Sequence, residues 1–240
     1  MDLDRKLPVR SHLAEVRKRL LSCMLAVLVT TAISAVFAKY IFRILESRAE
    51  NINLIYIEMT EMLGTYFRVA FMSGIVLASP FLIYQFVMFI RPGLNTTERR
   101  YLYFLLPSAM LAFAAGVAFG YFVLFPPMAR FLITFGSDIA TPQIRVGNFV
   151  SLMVRLLFSL GLCFETPLLA FFLAKIGVVT PQMLSRYRKF AVVGAFILGA
   201  IITPTFDPIN QSIVAIPLIL LYELGILLAK LARRKEKRRT

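Results

Sequence analysis

Tryptophan is absent from the 240 residues, histidine occurs once, cysteine twice, and charge is sparse at 17% of positions, against about 25% in a soluble domain. Acid is the scarcer sign, with 13 Asp and Glu beside 27 Lys and Arg. These absences exclude several classes. A lone His12 cannot build a metal site. Cys23 and Cys163 stand in apolar runs without a CxxC spacing, and read as buried small residues, not a redox pair. No nucleophile elbow, phosphate-binding glycine loop, HExxH or usefully spaced carboxylate pair occurs, so the chain reads as no enzyme, with no metal and no cofactor. Without tryptophan, the interfacial aromatic role falls to Tyr40, Tyr101, Tyr103 and Tyr187 near span ends.

Apolar sequence is what remains: 59% of the chain, with a mean hydropathy of +0.76. That leaves too little polar surface for a water-soluble globule, and the bilayer is the expected solvent. Leu20 to Ala38, Val69 to Ile90 and Tyr101 to Ala129 carry no charge. Leu156 to Ala174 is broken only by Glu165, Phe190 to Phe206 is charge-free, and Pro208 to Ala229 is broken only by Glu223. Helices are expected because the alternation of a membrane β-barrel wall is missing. The first run has 19 residues, too long for the apolar core of a cleavable leader. The sequence therefore predicts an all-α polytopic membrane protein, a single integral domain over 1–240, with six spans at about 20–38, 69–90, 104–125, 152–174, 190–204 and 209–229.

Six spans place both termini on one side. Of the 27 Lys and Arg, 20 fall in the two terminal segments and the second-to-third and fourth-to-fifth connections, which puts both ends in the cytoplasm. The basic charge is then accounted for without nucleic acid. On the opposite side, Ile57 to Phe67 has the spacing of an interfacial helix. Pro126-Pro127 is expected to end the third span, and the segment after it runs on with Phe131, Leu132 and Phe135 on one helical face. The two outside segments should form a cap. No internal repeat is visible.

The last two spans are expected to be short. Phe190 to Thr203 gives about 21 Å of helix, less than the roughly 30 Å of hydrocarbon, which implies a locally thinned membrane. Four acids occupy unusual places: Glu15, Glu98, Glu165 and Asp207.

At these residues the chain closely resembles the TatC family, which recognises signal peptides in twin-arginine protein translocation. The resemblance covers nearly the whole chain. It rests on His12-Leu13-Ala14-Glu15-Val16-Arg17-Lys18-Arg19-Leu20, on Ser79-Pro80-Phe81 through Gln85 to Phe89-Ile90-Arg91-Pro92-Gly93-Leu94 and Glu98-Arg99, and on Phe119-Gly120-Tyr121 with Phe125-Pro126. It continues at Phe164-Glu165-Thr166-Pro167, and from Thr203-Pro204-Thr205-Phe206-Asp207-Pro208 through Gln211 to Pro217 and Tyr222-Glu223. One departure is Met59, where the family pattern has a proline. The resemblance implies a cup-shaped receptor of six spans in the plasma (inner) membrane. It implies work in an oligomeric complex with small single-span subunits of the TatA and TatB type, among membrane lipids, moving folded proteins with the proton-motive force.

Two carboxylates, Glu98 and Glu15, suit two arginines, because each can accept a planar guanidinium fork through charge-assisted bonds that lysine cannot copy. Each also has a local reading, Glu98 as a first-turn helix acid and Glu15 as an i,i+4 partner of Arg19. The resemblance implies that both contact the signal peptide, with Arg17 and Phe89 nearby. Glu165 reads either as a hydrogen-bonded acid of the bundle or as a polar spot that draws water into the membrane. Thr203 and Gln211, beside Asp207, either satisfy their polar groups locally or seat a partner helix, and the resemblance puts the small subunits there. A proton-coupled secondary transporter also uses an intramembrane acid, but normally within two matching halves. A passive scaffold needs no such acid.

Overall fold

The computed structural model describes residues 9–47, 54–90, 96–135, 139, 141–203 and 207–234; side chains are described within these except at 9–14, 87, 90, 96–104 and 234. Among the described residues the chain is almost wholly helical. The helices run α1 (Val9–Glu46), α2 (Glu61–Ile90), α3 (Thr96–Phe119), α4 (Phe125–Thr134), α5 (Val146–Phe164), α6 (Thr166–Lys175), α7 (Pro181–Arg186), α8 (Arg188–Ile202) and α9 (Pro208–Arg234). Two short strands, β1 (Leu54–Ile55) and β2 (Ile144–Arg145), pair in parallel.

Among the described residues, five stretches are long and apolar enough to cross a membrane: Glu15–Glu46, Glu61–Phe86, Leu105–Thr134, Val146–Lys175 and Pro208–Arg233. α8 is the short fifth helix, at 15 residues, about 22 Å of rise. The companion expectation of a short last helix is corrected: α9 has 27 residues, because the helix does not stop at the apolar run but continues through Lys230 to Arg234. α1 likewise extends to 38 residues by recruiting charged turns at both ends. Hydrocarbon dictates where a helix must exist, and backbone hydrogen bonding carries it further.

Prolines inside these helices are handled locally. Pro80 cannot donate to Val76, and the Ser79 hydroxyl takes over that carbonyl at 2.7 Å. The Pro126-Pro127 pair begins a helix here, contrary to the expectation that it ends one. A π turn over Gly120–Leu124 widens the ring so that the Phe125 N–H returns to the Gly120 carbonyl, and the two prolines then fall in the first turn of α4, where no N–H is needed. The Tyr121 hydroxyl on that turn donates to the Ile44 carbonyl at 2.7 Å, tying it to the end of α1.

Phe125, Met128, Met153, Leu156 and Leu160 are fully buried, and the Phe125 and Phe149 rings meet edge to face at 5.3 Å. The segments that precede α2 and α5 join through the paired strands. Leu54 aligns with Ile144, and Ile55 with Arg145. The nearly buried Glu61 carboxylate accepts from the Ile57 and Gly147 N–H groups, each at 3.1 Å, and pairs with Arg145 at 3.1 Å. Bonds to Glu61 and then to Glu58 raise the Arg145 pKa further, so the latch stays ionic. The separate interfacial helix expected over 57–67 is absent: Glu61 opens α2, which runs unbroken into the membrane. Met59, in the turn before it, is 95% exposed.

Close approach replaces bulk in the spans. A Cβ on Gly74 would fall inside Thr31 of α1, and the Thr30 hydroxyl donates to the Gly74 carbonyl at 2.8 Å. Cys23 and Cys163 are only half-buried within the chain; in a lipid-facing helix, hydrocarbon rather than protein covers such residues.

Candidate functional site

Three groups of polar residues stand out, each where a helix ends or breaks. The first is at the terminal end of α1 and α2. The Arg19 guanidinium reaches Glu15 one turn back, with Nη2 at 2.6 Å and Nε at 3.0 Å, and its Nη1 donates to the Gln85 amide oxygen at 3.0 Å. Both bonds to Glu15 land on Oε1. Among the described residues, nothing engages Oε2, and the side chain keeps 28% of its surface open. Phe89 is half-buried one turn beyond Gln85, on the same face of α2. Arg17 is exposed and lies two residues, about 200° around the helix, from Glu15. Arg19 and Gln85, which the residue pattern did not single out as site members, join Glu15 here. Glu98 occupies the first turn of α3, and its side chain lies outside the described residues.

The second group centres on Glu165, at the break between α5 and α6 and ten residues from Lys175, about 15 Å along the axis. Pro167 explains the break, since it has no N–H to continue α5. Glu165 lines a cavity of about 480 Å³ walled by α2, α3, α5 and α6, with Ile75, Ser79, Phe113, Phe158 and Leu162. Its Oε1 is buried and meets no hydrogen-bond partner among the described residues. A buried polar atom left unmet costs about 1 to 3 kcal/mol, so some ligand or water has reason to enter.

The third group joins α8 and α9. The Thr203 hydroxyl donates to the Gly199 carbonyl at 2.8 Å, and the Gln211 amide donates to the Phe196 carbonyl of α8 at 2.8 Å. Asp207 caps α9, accepting the Asn210 N–H at 2.6 Å and its side-chain amide at 3.0 Å. Pro204, Thr205 and Phe206, part of the same turn, lie outside the described residues. Unmet donors are the physical reason to expect a partner at Thr203 and Gln211; the Thr203 hydroxyl and one Gln211 amide N–H already donate inside the chain, which weakens that reason. Asp207→Ala should lower stability by about 0.5 to 2 kcal/mol through the lost cap, measured by thermal unfolding in detergent; no change would mean that another group takes over the Asn210 bonds.

This arrangement defines a polytopic helical membrane protein with polar groups at helix ends and at the break between α5 and α6. Residues 11–217 match the family model described as TatC: Sec-independent protein translocase protein (TatC). The Sec-independent protein translocase protein TatC of Aquifex aeolicus (strain VF5) is 39% identical over 237 residues, 96% of this chain and 98% of that protein. The TatC protein of Carboxydothermus hydrogenoformans is 34% identical over 235 residues, 97% of each. A solved structure described as that of the twin arginine translocase receptor TatC superposes with a TM-score of 0.84 at 38% identity, covering 92% of this chain and 99% of that one.

The chain belongs to the TatC family, and is a core component of the twin-arginine, Sec-independent protein translocase. The family is a translocase component rather than an enzyme class, and nothing in these likenesses favours a secondary transporter.

Proposed function

We propose that the chain is the twin-arginine signal-peptide receptor of its translocase, with Glu15 and Glu98 as the acids that take the two arginines. The observation that carries this is the Oε2 of the part-exposed Glu15, which meets no partner among the described residues, on a carboxylate held by Arg19, itself anchored by Gln85 beside Phe89. A fixed carboxylate with an unused oxygen can accept an incoming guanidinium without first losing its own support. Phe89 offers an apolar flank, and Arg17 contributes from the exposed side of α1. The solved relative's description as a receptor supports the same reading. A photocrosslinker at Glu98 should capture a twin-arginine peptide and lose it when both peptide arginines become lysines; capture indifferent to that change would refute the reading.

The protein sits in the inner membrane with both termini cytoplasmic, as its basic residues favour. Small single-span subunits of the TatA and TatB type dock along α8 and α9 near Thr203, Asp207 and Gln211. The support is now the shortness of α8, which thins the lipid beside it. A cysteine at Gln211 should crosslink to such a subunit's helix in a Cys-free background. The proton-motive force drives passage of folded cargo, and Glu165 lowers the barrier by drawing water to mid-membrane. Glu165→Leu should stabilise the protein by about 1 to 3 kcal/mol, the cost of the unmet carboxyl oxygen, while transport in vesicles falls. Transport at full rate would assign Glu165 a packing role only.

A further inference from the structure

Arg68 and Arg155 are both exposed, and neither makes an ion pair among the described residues. The cap acids Glu58 and Glu61 are already engaged by Arg145. Each arginine stands at the head of a charge-free run. Arg68 immediately precedes the charge-free run that begins at Val69, and Arg155 immediately precedes the run that begins at Leu156. Twenty residues separate Arg155 from Lys175 at the far end of α6, about 30 Å of rise and so one hydrocarbon thickness. The two cations therefore lie at the level of lipid phosphates on the cap side.

They also share a groove. Arg68 is held across the α2 to α5 seam, its Nη1 donating to the Ser151 hydroxyl and, at 3.4 Å, to the Gly147 carbonyl. Arg155 is one turn below Ser151 on α5. Seven residues on from each arginine, and hence on the same helix face, come Ile75 on α2 and Leu162 on α5, and both line the apolar cavity. Two cations at the rim and an apolar hollow about 10 Å beneath them match one kind of ligand.

We propose that Arg68 and Arg155 bind the phosphate of an anionic phospholipid, one of whose acyl chains descends into the cavity between α2, α3, α5 and α6. An anionic lipid fits better than a zwitterionic one because choline would set a third cation beside the two arginines. A soluble anion would leave the hollow unused.

The test is native mass spectrometry of the full chain taken from mixed phosphatidylglycerol and phosphatidylcholine bilayers. Wild type should retain phosphatidylglycerol preferentially, by about fivefold for each arginine. Arg68→Gln with Arg155→Gln should abolish the preference, the double lysine variant should keep it, and Arg130→Gln should leave it unchanged. Glycerol 3-phosphate should not displace the lipid. Equal retention of the two lipids, a preference surviving in the double glutamine variant, or displacement by glycerol 3-phosphate would each overturn the proposal. So would a signal peptide that crosslinks at Ile75 while bound phosphatidylglycerol stays in place. Wild-type retention and headgroup competition decide the matter even if the double variant fails to fold.

Discussion

Exchanging Glu15 and Glu98 together for glutamine is expected to weaken binding of a twin-arginine peptide by about 10²- to 10⁴-fold. Hydrogen bonds to a charged group contribute about 1.5 to 3 kcal/mol each, so two arginine sites give about 3 to 6 kcal/mol, or that range in affinity. Glutamine preserves shape and one acceptor, which isolates the charge. Each single variant should cost about 10- to 10²-fold, with Glu15→Gln toward the lower end. The reason is Arg19: it already holds Glu15 at 2.6 Å, so a peptide arginine shares the carboxylate instead of gaining it whole. Arg19→Gln should therefore loosen Glu15 and raise the salt sensitivity of binding, while Arg17→Gln, on the other side of α1, should have the smaller effect. Dissociation constants for a fluorescent peptide in detergent, measured against its twin-lysine counterpart, would check the series. A double variant within threefold of wild type would remove these acids from the site.

How much of this was legible in the sequence depends on the reach of each interaction. Hydrocarbon demands apolar helices, so the runs at Leu20, Val69, Tyr101, Leu156, Phe190 and Pro208 announce themselves. Where those helices begin and end is less legible, because Glu61, Lys230 and Arg234 continue a helix as readily as they border one. Pro126-Pro127 looked like a stop, since the π turn that readmits them leaves no pattern in composition. The Glu61 to Arg145 latch joins residues 84 apart, and nothing local marks either as the other's partner. At the sites, the i,i+4 pair of Glu15 with Arg19 was legible from spacing alone, but Gln85 was not, 66 residues away from Arg19. Thr203 followed the local alternative of bonding its own preceding turn. One signal was present and unused: Gly116 and Gly120 are four apart within an apolar run, the spacing that lets two membrane helices approach closely.

That signal leads to the largest expected effect on folding. A Cβ on Gly116 would lie 2.6 Å from the Leu160 carbonyl oxygen and 2.9 Å from the Gly161 Cα, both backbone atoms of α5, and one on Gly161 would lie 2.7 Å from the Phe113 ring of α3. No rotamer change relieves a contact with backbone, so a larger residue must push α3 and α5 apart. In lipid no hydrophobic force draws them back, because tails are as apolar as the side chains that separate. Gly116→Val is therefore expected to cost at least the 1 to 3 kcal/mol typical of overpacking, about the upper end or beyond. Gly194→Val is the matched control: it lies in α8 with open space around its Cβ position, and should stay within about 0.5 kcal/mol of wild type. Thermal unfolding in detergent compares the two directly. Because Phe113 and Phe158 line the cavity shared with Glu165 and meet at 6.5 Å across α3 and α5, the separated helices should also admit thiol reagents to Cys163 faster in Gly116→Val than in wild type. Equal stability and equal Cys163 reactivity in the two valine variants would mean that α3 and α5 can part without loss, and that the wall of the cavity is set by something other than these glycines.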